Sequence, residues 1–406
     1  MTRLNHNLSE KLVTVETKST IDGKFGAQTS LQTSLMRGLI FLSALLLTAC
    51  YTGFRTAADG DVTFAPTAMS TPEPTETPIS IPGLIGPEFP PNVNPLTGLT
   101  VDDPAILERR PMVVKISNAP PLVRPQAGLN AADIVFEHYA EGGLTRFSAI
   151  FYSQTPQRVG SIRSARLIDY ELVPMYDALL AYSGASDGVI HLLETSDFWE
   201  RTYVGIWYGL PYYWRDENIE VPHNLFLNPA ALWGLASEEG LNRRPELQNN
   251  LAFLEAPPPD SDGAATTIDL RYRATRVVWE YDPAIGQYRR NSDGLGHFDA
   301  NTMEQVTADN VVIIYANHTL SDIVESEWQG SVTYGIEIQL WFEGDAVLFR
   351  DGQQYVGRWV RPAREQMLSL RTEDGQILPL KPGTTWFQVF PLSEQQDPSE
   401  ESVTVS

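Results

Sequence analysis

Cys50 is the only cysteine in a chain of 406 residues, and it closes the apolar run MRGLIFLSALLLTAC at residues 36–50. One thiol cannot form an internal disulfide or build a multi-cysteine zinc site. Whatever folds here must therefore be held by an apolar core, and no cysteine nucleophile is left for the folded part. The apolar stretch 38–47 is well short of the roughly 20 residues that a spanning helix needs. Behind Arg37 it has the length of a signal-peptide core. Leu47, Thr48, Ala49 and Cys50 then run in the order that lipidation requires. Small side chains admit the signal peptidase to the bond before the cysteine, and the thiol takes the diacylglyceryl group. We expect cleavage before Cys50 and attachment to the membrane through lipid on that residue, palmitate among its acyl groups. Each buried CH₂ contributes roughly 0.8 kcal/mol, so two or more acyl chains hold stably. A buried helix with an incidental cysteine is the alternative. Residues 1–35 are polar and do not suit a signal n-region, which points to translation from Met36 or to an unusually long n-region.

Residues 51–91 are rich in Thr, Pro, Ala and Gly, with STPEPTETP at the centre, a composition that cannot bury a core. At about 3.1 Å per residue, such a tether reaches on the order of 100 Å when stretched. Folded sequence is expected from about Pro95. The stretches 112–117 (MVVKIS), 133–139 (DIVFEHY) and 145–153 (TRFSAIFYS) are β-branched and aromatic and read as strands. Residues 166–176 read as a helix, 178–183 as a buried strand, and 188–194 and 229–239 as helices. This gives an α+β or α/β block with a central mixed sheet. After the linker EAPPPDSDGAATT (255–267) the pattern turns β-rich. Strands are predicted at 276–281, 310–315, 335–342, 346–350, 366–370 and 385–390, with turns at 291–294, 344–345, 351–352 and 374–375. The expected organisation is a signal peptide at 1–49, a tether at 50–94, an α/β block at 95–254, a linker at 255–267, an antiparallel β-rich block at 268–392 and a disordered acidic tail at 393–406.

The formal net charge of -22 argues against a nucleic-acid binder, which needs a basic surface, and against a polybasic lipid patch. Basic residues nevertheless cluster locally. Glu141-Gly142-Gly143-Leu144-Thr145-Arg146 sets an acid and a base around a glycine turn, and Gly160-Ser161-Ile162-Arg163-Ser164-Ala165-Arg166 places two arginines where a strand should meet a helix. Arginines beside free N–H groups at a helix start suit a carboxylate or phosphate. Ser164 reads equally well as a helix N-cap, and Arg163 and Arg166 as ion-pair partners of Asp169 or Glu171. His223 and Asn224, in Val221-Pro222-His223-Asn224, are candidates for an acid/base and a positioning donor; a structural loop histidine is the competing reading. No histidines stand at ligand spacing, so neither a metal nor a cofactor is expected. Asn291-Ser292-Asp293-Gly294 has the start of a calcium loop without its later ligands and is read as a hairpin turn.

The chain resembles the YerB-like lipoproteins of bacteria. The resemblance rests on RPMVVKISNAPPLVRPQAGLNAADIVFEHYAEGGLTRFSAIF (110–151), VGSIRSAR (159–166) and VPHN (221–224). In the second block it rests on the strand 277–281, DNVVIIY (309–315) and LKPGTTWFQV (380–389). It implies a two-part α/β plus β architecture on a lipid anchor and supplies no catalytic residues. A His-Gly-like pair common in that family after the strand at 178–183 is replaced here by Tyr182-Ser183-Gly184.

Three functions are compatible with these features. The first is an extracytoplasmic, membrane-anchored binding or scaffolding module, with Arg146, Arg163, Ser164, Arg166 and Asn224 holding an anionic envelope ligand. The second is an envelope hydrolase or transferase using Glu141 and His223 as acid and base. The third is a surface that only presents itself to a partner protein. The oligomeric state is left open.

Overall fold

The computed structural model describes residues 81–248 and 251–406. Cys50, the leader and most of the tether lie outside the described residues. All described residues fall in one compact unit. The fold is α+β, with a mixed sheet in the N-terminal part and a β-rich, largely antiparallel C-terminal part.

Hydrophobic residues at both parities of short strands lead to a sheet covered on both faces. The N-terminal part contributes β1 (Met112–Ser117), β2 (Ile134–Tyr139), β3 (Thr145–Phe151), α1 (Asp169–Met175), β4 (Leu179–Tyr182), α2 (Asp187–Glu194), β5 (Thr202–Val204) and α3 (Pro229–Glu238). The C-terminal part contributes β6 (Thr267–Tyr272), β7 (Thr275–Asp282), β8 (Gln287–Ser292), β9 (Asn310–Trp328), β10 (Ser331–Gln339), β11 (Phe342–Arg350), β12 (Gln353–Arg361), β13 (Ser369–Arg371), β14 (Thr385–Pro391) and β15 (Ser402–Val405). Among the described residues, twelve strands form one sheet along the path β13-β12-β11-β9-β14-β2-β3-β1-β4-β5, with β10 on β9 and residues 263–264 on β12. The two sequence blocks meet inside it, where β14 pairs in parallel with both β2 and β9. The pairs β1–β4 and β4–β5 are also parallel, whereas β3 runs antiparallel to β1 and β2. Strands β9, β14, β2, β1, β4 and β5 thus point the same way, and their C-terminal ends share one edge of the sheet.

Helices α1 and α2 cover one face, burying Leu172, Val173, Val189 and Leu193 against Val113, Phe136, Ile150 and Phe387. The other face receives α3 and a second, antiparallel sheet built from β6, β7, β8 and β15. Trp279 of that sheet meets Trp386 of β14 edge to face at 5.2 Å. The distal half of β9 and its partner β10 extend past the shared edge as an arm. It returns to the first face, where Ile323 lies so close to Gly188 of α2 that a β-carbon there would stand 2.6 Å from it.

Several expectations need correction. The acidic tail is not disordered along 393–406: alternation in Ser402–Val405 lets it pair with β6, and the Ser406 carbonyl accepts from Thr266 and Thr267 N–H at 2.7 and 2.8 Å. The ordered chain begins before Pro95, since Ile85 exchanges two 2.8 Å backbone bonds with Phe253. Residues 263–264, inside the expected linker, pair with β12. The expected turn at 344–345 lies within β11. Gly344 is there because the Trp359 indole crosses the strand, 2.6 Å from where a β-carbon would be, to reach the Tyr315 carbonyl at 2.9 Å. Helix α1 starts at Asp169 rather than 166, because the Asp169 carboxylate accepts the Arg166 N–H at 2.7 Å. Ser164 is therefore not its N-cap. The turn at Asp293-Gly294 is a hairpin as expected, with φ of +52° and +82° joining Ser292 to Leu295.

Candidate functional site at the shared strand edge

Four polar residues sit where an apolar stripe would be expected on the helix-covered face. Lys115 of β1, His138 of β2 and Ser148 of β3 alternate with Val113, Phe136 and Ile150 on that face, and Asp169 of α1 closes over them; all four are fully buried. Lys115 Nζ reaches Asp169 at 2.9 Å and donates to Ser148 Oγ at 2.5 Å and His138 Nε2 at 3.0 Å. The His138 Nδ1–H donates to its neighbour's carbonyl, Tyr139 O, at 2.9 Å, which leaves Nε2 as the acceptor. Burial pulls the Lys115 ammonium down to about 8, the Asp169 carboxylate opposing it. Burial, followed by the Lys115 charge, holds His138 well below its ordinary value. Sequence reading missed this cluster. The available signal was a lysine, a histidine and a serine at matching parity in three otherwise apolar strands.

The predicted arginines lie just beyond it. Arg166 donates through Nε and Nη2 to one oxygen of Glu141, at 2.8 and 2.5 Å, and lies 3.6 Å from Glu325 of the arm. The expected pairing of Arg166 with Asp169 or Glu171 does not form through side chains. Asp169 pairs with Lys115, and Glu171 with Arg361. Arg146 donates to the Ser164 carbonyl at 3.0 Å and has no carboxylate partner among the described residues. Burial and the neighbouring Arg166 draw it down to about 9. Arg163 is half-buried and has no side-chain hydrogen bond or ion pair among the described residues, and its Nε is buried unpartnered. Burial, then Arg166, lowers it as well. Four cations (Lys115, Arg146, Arg163, Arg166) thus face three carboxylates (Asp169, Glu141, Glu325) in a chain of net charge -22. Burial raises the Glu325 carboxyl, with Arg166 opposing.

The loops that carry these groups are fixed by backbone bonds at the ends of the parallel strands. Arg163 N–H donates to Lys115 O, Ser183 N–H to Arg163 O and Ala165 N–H to Gly184 O, at 2.9, 2.9 and 3.0 Å. Ser161 Oγ donates to His223 O at 2.6 Å and brings the 221–224 loop alongside. His223 is partly buried, with Nδ1 unpartnered. Burial, followed by the Arg163 charge, lowers its pKa. Asn224 is spent on its own loop: its carbonyl accepts from Arg215 at 2.7 Å, and its amide donates to Asp216 O at 3.1 Å. Ser164 contributes its carbonyl, to Arg146. Glu141 and His223 are joined by no hydrogen bond; one turns to Arg166 and the other faces Arg163. Arg163 with His223, and Arg146 with Arg166, are brought together, whereas the Asn224 side chain bonds within its own loop. The expected helix-start anion site does not form, because the first turn of α1 carries Asp169 and Glu171 and uses Asp169 on its own leading N–H. Among the described residues no three His, Cys, Asp or Glu side chains group as metal ligands would.

This edge is the place where open sheets with parallel strands bind ligands, outside their C-terminal ends. Residues 96–242 match the family model described as the N-terminal domain of a protein of unknown function, DUF3048, and residues 268–387 match the C-terminal domain of the same description. The chain is 31% identical over 301 residues to the Bacillus subtilis (strain 168) protein named "Putative lipoprotein YerB", across 73% of this chain and 86% of that protein. It is also similar to the crystal structure of YerB protein from Bacillus subtilis, with a TM-score of 0.64 and 29% identity over 77% of this chain and 99% of that one. With both domain models matched in order and a relative aligned through most of its length, the chain belongs to the YerB-like family.

Proposed function

We propose that this protein is a lipid-anchored extracytoplasmic lipoprotein whose strand-edge site binds an anionic envelope ligand through Arg163, with Arg146 adding to the positive field. The observation that carries the reading is the Arg163 guanidinium, half-buried beside two other arginines and unpaired among the described residues. A half-buried guanidinium with an unsatisfied Nε–H has lost part of its hydration, and a bound carboxylate or phosphate supplies the missing partner. The anchor is supported by the lipobox ending at Cys50 and by the name that the Bacillus relative carries. Binding is preferred to hydrolysis because Glu141 gives one oxygen to Arg166 and makes no hydrogen bond to His223.

Titration calorimetry of the chain with cell-wall peptide fragments bearing free carboxylates tests it. Arg163→Ala should weaken binding by about tenfold or more, the worth of one charge-assisted hydrogen bond. Equal affinity in parent and variant would remove Arg163 from the site. For the anchor, Cys50→Ser should move the protein from the membrane fraction to the soluble one.

A further inference from the structure

A cavity of about 290 Å³ opens at the same sheet edge but on other strands, at the ends of β2 and β14 and midway along β9, where the arm begins. Leu320, Ile336 and Pro391 supply its apolar wall; Tyr139, His318 and Glu401 supply the polar one. Most of that polar wall is already satisfied. Tyr139 donates to Glu401 at 2.5 Å and accepts the Arg273 N–H at 3.1 Å, while the other Glu401 oxygen takes the Asp397 N–H at 2.8 Å. Gln395, also in the lining, spends its amide on Asn317 and the His318 backbone. Arg273, at the rim, is held by Glu400 and Glu401. His318 differs. Its Nδ1–H donates to the Ala316 carbonyl at 2.8 Å, so the lone pair resides on Nε2, which is buried with no partner. Burial lowers this histidine to about 4, so the imidazole is neutral at physiological pH.

We infer that this cavity is a binding site for a small, mainly apolar molecule carrying one hydroxyl or amine donor, with His318 Nε2 as the acceptor. The volume is at the lower end of ligand pockets, roughly 300 Å³, which fits a single ring or a short branched chain. The apolar wall takes the body of the ligand and the imidazole takes its one donor. Two glutamates against a single arginine disfavour an anion, which separates this site from the arginine edge. A buried acceptor left unmade is costly, and satisfying it is the source of selectivity.

The test uses three probes on the full chain: phenol, which has the donor; anisole, which has the ring without it; and benzoate, which is anionic. Phenol should bind and shift the His318 imidazole ¹⁵N resonance, with anisole about tenfold weaker and benzoate not competing. His318→Phe keeps a ring at the position and should reduce phenol to the anisole level, with its thermal melt as a folding control. The inference is overturned if phenol and anisole bind the parent equally, if neither binds at millimolar concentration, or if phenol leaves the His318 resonance unmoved. The parent comparisons stand even if the variant misfolds.

Discussion

Glu137 of β2 and Arg290 of β8 form a fully buried ion pair at 2.7 Å, one partner from each of the two matched domains. The other Glu137 oxygen accepts from Asn118 at 3.0 Å and Thr145 at 2.8 Å, and the guanidinium is enclosed by the rings of Phe147, Trp279 and Trp386. Together with the β2–β14 pairing, this contact ties the two blocks into one cooperative structure. Glu137→Gln should therefore destabilise the protein by about 3–5 kcal/mol, because it leaves Arg290 buried without its counterion. Replacing both residues with apolar ones of similar volume should cost much less. Urea unfolding checks both statements. Two separated transitions in the parent would contradict the claim that the blocks unfold together.

The same cluster makes stability fall in mild acid. Arg290 donates to His297 Nδ1, and His297 Nε2–H donates to Gln126 Oε1 at 2.5 Å. Burial and the Arg290 charge hold His297 well below its ordinary value of 6.5. Its folded pKa is depressed, so below that value the unfolded chain binds a proton that the folded chain refuses. The contribution is intact above 6.5 and is lost as pH falls below it, by about 1.4 kcal/mol per pH unit for each such histidine. His138 acts in the same sense, as does His318 down to about 4. Urea midpoints measured from neutral pH to about pH 5 should show the decline, and His297→Gln should lessen its slope by one histidine's share.

The C-terminal strand is a third point of attack. Its pairing with β6 and the Tyr139–Glu401 bond join residues 401–406 to the second sheet and to the end of β2. Truncation after Asp397 removes several backbone hydrogen bonds at about 1 kcal/mol each. It should lower stability by on the order of 2–3 kcal/mol, read as a drop in thermal midpoint. An unchanged midpoint would mean that the tail does not pack in solution.

Such contacts mark the limit of what sequence could show. Strands β1, β2 and β3 and the position of α3 were legible because their apolar runs and caps are local: Asn228 caps α3 through Ala231 N–H at 3.2 Å beside Pro229. Strand β8 (QYRRNS) was not, since Arg290 reads as exposed until Glu137 is seen beneath it. The tail failed for the same reason: SVTV is polar at one parity and acquires a role only beside β6. At the strand edge, the glycine and arginine motifs showed which loops to watch. Which arginine remains unpaired depended on Glu141 turning to Arg166 and on Asp169 and Glu171 turning to Lys115 and Arg361, choices that no local pattern announces.

That unpaired arginine has a direct reporter. His223 is held below its ordinary pKa first by burial and then by the Arg163 charge. Removing the charge makes protonation easier, so Arg163→Gln should raise the His223 value toward 6.5, as followed by the NMR titration of its ring. An anion bound at Arg163 neutralises the same field and should move the resonance in the same direction in the parent. Glu141→Gln should leave it in place, because Glu141 is bonded to Arg166 and makes no contact with His223. The opposite pattern, a shift with Glu141→Gln and none with Arg163→Gln, would pair Glu141 with His223 after all. It would then favour acid/base chemistry over anion binding.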